Sequence, residues 1–100
     1  MQADAKSAHL LEQSAVEISQ AASRHLLATA PDVVKQFGSD ASSIWQQHFD
    51  QRVLELSAAI ATGESRLFAA RVSWSHEAMT ARGQDEAFIK STLVSLRYAL

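Results

Sequence analysis

Four histidines, His9, His25, His48 and His76, and the run Ser75-His76-Glu77 are the residues of this chain whose types could do chemistry. Two imidazoles one helical turn apart can hold a metal ion, as in His-Glu-x-x-His. His76-Glu77 begins that pattern, but Thr80 stands where the second imidazole is needed. A di-iron centre inside a bundle needs Glu-x-x-His on two helices, and no glutamate here has a histidine three residues later. The histidines are therefore expected on the surface or at helix ends, and no metal is expected. Ser75, His76 and Glu77 cannot form a relay, because consecutive helical side chains point about 100° apart. No Gly-x-Ser-x-Gly elbow and no glycine-rich phosphate loop occurs. These residues point away from an enzyme.

The remaining candidates are apolar. Phe68, Val72, Trp74 and Met79 fall within one helical segment and combine two aromatic rings, a branched aliphatic and a soft thioether. Such a set is either bundle core or a surface that covers a flat apolar ligand. Phe68 and Trp74 are six positions apart, so one can line the core while the other faces outward.

The elements that would position these residues follow from composition and periodicity. One hundred residues make one domain, 1–100. The hydrophobic fraction is 47 %, with three glycines and one proline, a balance that favours long helices. Net charge is −2 and the basic residues are scattered, so no nucleic-acid backbone is expected as a partner. The absence of cysteine removes disulfides and thiolate chemistry. No apolar run approaches the roughly 20 residues needed to span a bilayer, and the N-terminus lacks the pattern of a signal peptide. The expected setting is cytoplasmic, with no membrane contact. A helix that reaches Leu100 without a stop signal reads as one module of a longer architecture, or as a protein reduced to that module.

From about Ala3 to Ala28 neither glycine nor proline occurs, and Leu11, Ala15, Ile18, Ala22 and Leu26 keep one helical face. This alanine-rich face is expected to pack closely, and it also favours self-association. Pro31 suits the first turn of a short helix to Phe37, with Gly38 as terminator and Ser39-Asp40 as the next cap. Trp45, Phe49, Val53, Leu56 and Ile60, broadened by Ile44, mark a helix from Ala41 to about Thr62. Gly63 ends it. The following helix, to Arg82, carries two rows, Phe68-Val72-Ser75-Met79 and Leu67-Arg71-Trp74-Ala78. Gly83 ends that one, and Gln84 or Asp85 caps a last helix striped by Ile89, Leu93, Leu96 and Leu100, with Phe88 flanking. The short connections force antiparallel neighbours. The expected fold is all-α, an up-and-down four-helix bundle with one extra short helix.

Leu56 to Gly63, then Leu67-Phe68, Val72-Ser73-Trp74, Ala81-Arg82-Gly83 and Leu93-Val94-Ser95-Leu96, resemble the helical module that precedes the cobalamin-binding domain in bacterial B12-dependent sensory and regulatory proteins. The likeness spans about Phe49 to Leu100. In that family the bundle caps the upper face of the corrin. The resemblance implies a corrin-facing role for Trp74, supported by Phe68, Val72 and Met79. The Glu-His pair of light-sensing members is replaced by Gln84 and Asp85, and the Asp-x-His-x-x-Gly that supplies the lower cobalt ligand is absent. Cobalamin is thus implied only with a downstream α/β domain. The two functional expectations are a non-catalytic sensory cap of this kind and a bundle that homodimerises or docks a signalling partner.

Overall fold

The computed structural model describes residues 3–84 and 86–100, and every regular element among them is helical. The rod expected from Ala3 to Ala28 is two helices, α1 (Ala5–Gln13) and α2 (Ala15–Thr29). The break is Ser14, at φ −94° and ψ 3°, whose backbone N–H reaches the Leu10 and Leu11 carbonyls at 3.1 and 3.2 Å. Periodicity hides this turn because the apolar stripe passes through it unbroken. Packing explains it: α1 follows one half of the later helix α4 (Ala41–Thr62), whereas α2 seats against both α4 and the last helix, α6 (Glu86–Ala99).

Between these lie α3 (Asp32–Phe37), a 3-10 turn (Gly38–Asp40), and, after α4, α5 (Ser65–Ala81). Asp40 does not cap α4 as the sequence predicts. Its backbone is already helical, at φ −87° and ψ 0°, and its side chain makes no capping bond. The 3-10 turn delivers the chain to α4 already wound, which removes the extended geometry that a capping carboxylate needs. Asp85, the alternative cap of α6, lies outside the described residues. Gly63, at φ 73°, takes the left-handed conformation that closes α4, and the Glu64 N–H then reaches the Ala59 carbonyl at 3.0 Å.

Four long segments form the expected up-and-down arrangement. The Asp4 N–H bonds the Ile60 carbonyl at 2.9 Å, Ser57 Oγ donates to the Ala8 carbonyl at 2.7 Å, and Ser23 Oγ donates to the Ser42 carbonyl at 3.1 Å. These three bonds run α1 and α2 antiparallel to α4. The centre is Ala22, Leu26, Trp45, Phe49, Val53 and Leu96. Full burial of Phe49 contributes about 1.5–3 kcal/mol. Ala8, Ala15, Ser19, Ala22 and Ser23 are all buried. Ala15 and Ala22 of the alanine-rich face, with Ala8, Ser19 and Ser23 beside them, therefore serve the close packing inside the bundle.

The stripe of α6 also differs from expectation. Ile89, Thr92, Ser95 and Leu96 are buried, whereas Leu93 and Leu100 are exposed. Close approach to α2 selects small side chains, and their hydroxyls find partners. Thr92 Oγ1 donates to the Ile89 carbonyl at 2.6 Å, and Ser95 Oγ lies 2.9 Å from His25 Nδ1. By contrast, α5 buries Ser75 alone.

Candidate functional site

The two rows of α5 take different roles. Phe68, Val72 and Met79 are half-buried around Ser75, whereas Leu67 and Arg71 are exposed and the Trp74 side chain is 63 % exposed. Hydrophobicity could not distinguish the rows, because each carries one large aromatic ring. The four residues grouped by sequence are therefore divided between two sides of the helix. Phe68 and Val72 line an open depression of about 570 Å³ with Ala69, Ser73, His76 and Glu77. Trp74 lines a separate groove of about 210 Å³ between α4 and α5. Met79 touches that groove and also the narrow crevice that Val72 shares with Ile89, Leu93 and Leu96 of α6.

The groove is walled by Phe37, Ile44, Trp45, Trp74, Ala78 and Met79. Its polar lining is His48, Arg52, Ser75, Arg82 and Gln84, with no acidic side chain among the described residues. Trp45 sits at the bottom, 4 % exposed, with ring contacts to Phe37, His48 and Phe88 at centroid distances of 5.6, 4.9 and 5.3 Å. Its Nε1 is buried and has no hydrogen-bond acceptor. Arg52 is 8 % exposed. Its Nη2 bonds Glu55 Oε1 at 3.0 Å and its Nη1 reaches the Arg71 carbonyl at 3.5 Å, but its Nε has no acceptor.

Arg52 and His48 were missed as site residues by sequence reasoning. The signal for Arg52 was its register: seven residues after Trp45, it lies on the same helical face. His48 is not a surface histidine. Burial, reinforced by the nearby Arg52 charge, lowers its pKa from 6.5 to about 4. His25 is also embedded, stacked on Tyr98 at 4.2 Å in addition to its Ser95 bond. Only His9 and His76 are exposed as expected.

The described residues contain no group of three or more potential metal ligands. Ser75 faces inward on α5, and His76 and Glu77 face solvent, so these neighbours converge on no common point. No helix among the described residues is long and apolar enough to cross a membrane. Compared with protein-family models, curated proteins and solved structures, the chain matches none.

Proposed function

We propose that the chain is a non-catalytic recognition module that pairs with a second copy of itself through the outer face of the α5–α6 hairpin. The observation that carries this reading is the apolar surface left on that face. Phe68 and Val72 line an open depression on α5, the crevice at Val72 leads to Leu93, and Leu93 and Val94 on α6 and Leu100 just beyond it are exposed. Large apolar side chains gathered on one face mark an interaction surface more often than side chains scattered singly. A two-fold axis would place this face against its own copy, which requires no charge complement. Light scattering across a concentration series is the test. A dimer is expected, and Leu93→Glu should return it to monomer with unchanged helicity. A wild-type monomer at all concentrations rejects the reading.

A second reading is favoured by Trp74. An indole 63 % exposed is available to cover a planar ligand held by another domain. That exposure supports reading the chain as a cap over cobalamin carried by a separate α/β domain. Mixing the chain with such a domain loaded with cobalamin should perturb the visible spectrum, and Trp74→Ala should abolish the change. No spectral change with the wild-type chain rejects the cap.

A further inference from the structure

We propose that α5 is a releasable lid: it unwinds and leaves the face formed by α4 and α6 as one unit, while α1, α2, α4 and α6 remain folded. The inference does not rest on the pairing reading, and its test is made on the monomer.

The rest of the bundle holds together without α5. The buried core is drawn from α2, α4 and α6, with no described residue of α5 in it. Because α2 seats directly against both α4 and α6, those three helices keep their shared core when α5 departs. By comparison, α5 buries one residue of seventeen, Ser75, while Phe68, Val72 and Met79 are half-buried. Regions with few buried apolar contacts open ahead of global unfolding.

The ties differ as well. The start of α1 is bonded to α4 at 2.9 Å and its middle at 2.7 Å. Likewise, α2 is bonded to α4 at 3.1 Å and to α6 at 2.9 Å. The bond that joins α5 to α4 is Arg52 Nη1 to the Arg71 carbonyl, at 3.5 Å, where a hydrogen bond is weak. Breaking it leaves Arg52 held by Glu55.

Off the bundle, α5 does not keep its helix. Its N-cap, Glu64, makes no side-chain capping bond, no acidic residue stands in the first turn and no basic one in the last. Helix propensity is low through Val72-Ser73-Trp74-Ser75-His76. Uncapped helices of this length are marginal in water without packing. Gly63 and Gly83, at φ 73° and 84°, bracket the helix with turns free to re-route. Once unwound, the segment between them has length to spare, since an extended residue spans about twice the helical rise. Its departure uncovers Phe49, Ile89 and Leu96, which line the crevice beneath Val72.

Native-state amide exchange tests this on the full chain, at concentrations where light scattering finds monomer and at rising sub-denaturing urea. The α5 amides should exchange together, at least about tenfold faster than the slowest of α2 and α4, with a common urea slope smaller than the global one. Ser23→Ala separates the alternatives, because the bond it removes is present whether α5 is seated or released. It should speed the slowest α4 amides about fivefold, as loss of one hydrogen bond predicts, and leave α5 unchanged. Ser57→Ala, which cuts the tie to α1, should also leave α5 unchanged and replaces Ser23→Ala if that variant does not fold. Amides of α5 as slow as those of α4, or accelerated with them by either variant, overturn the proposal. Exchange in α5 without urea dependence also overturns it, because that is residue-by-residue fraying and not the departure of a unit.

Discussion

Arg52 and Glu55 form an ion pair one turn apart on α4, Nη2 to Oε1 at 3.0 Å, with side-chain exposures of only 10 % and 15 %. A nearly buried pair contributes little net stability, because desolvation offsets the attraction, but removing one partner strands the other charge. Glu55→Ala should lower stability by about 3 kcal/mol. The double replacement Arg52→Met, Glu55→Leu should recover most of that loss. Urea unfolding of Arg52→Met, Glu55→Leu and the double variant closes a double-mutant cycle and measures the coupling. Equal losses in the single and double variants would show that Arg52 matters for its packing and not for its charge.

Acid should weaken the fold through His48. Its folded pKa of about 4 lies below the ordinary 6.5, so the unfolded chain binds the proton more readily. Stability from this group is complete above pH 6.5 and declines as pH falls toward 4, in total by about 3 kcal/mol at 1.36 kcal/mol per unit. His48→Gln should remove this part of the acid sensitivity. Chemical-shift titration of the His48 ring gives the pKa directly, and a midpoint near 6.5 would refute the account.

The two tryptophans should behave oppositely. Trp74→Ala touches a largely exposed side chain and should change stability by less than about 0.5 kcal/mol. Trp45→Ala opens a cavity beside Phe37, Phe49 and Phe88 and should cost about 3–5 kcal/mol. Thermal unfolding followed by circular dichroism separates them, since the two changes delete the same atoms from different surroundings.

Ser57 should anchor α1. Its hydroxyl is buried and donates to the Ala8 carbonyl at 2.7 Å, 49 residues away in sequence. Ser57→Ala should cost about 1 kcal/mol. Amide exchange should accelerate in α1 more than in α2, because α2 retains the Ser23 tie to Ser42 and its contact with α6.

Gly63 tests the turn between α4 and α5. With φ at 73°, any other L-residue incurs left-handed strain, and Gly63→Ala should destabilise by about 1 kcal/mol. Equilibrium unfolding that leaves the midpoint unchanged would mean that the turn relaxes into another form.

Much of this molecule was determined by local sequence. The steps of three and four through Trp45, Phe49 and Val53 fixed a buried face on α4, and Gly63 and Gly83 placed the turns, because only glycine enters the left-handed region without strain. These are properties of a residue and its near neighbours. The break at Ser14, the exposure of Leu93 and the burial of Arg52 depend on other helices. Ser14 bends the chain because α1 and α2 have different neighbours. Leu93 lies outward because the inward face of α6 is taken by Ile89, Thr92, Ser95 and Leu96, with the small Thr92 and Ser95 allowing α2 to come close. Arg52 stays inside because Glu55 and the Arg71 carbonyl receive its donors. Which row of α5 faced inward was likewise decided by assembly: both rows are apolar enough to be core, and the neighbouring helices had room for the one built around Ser75.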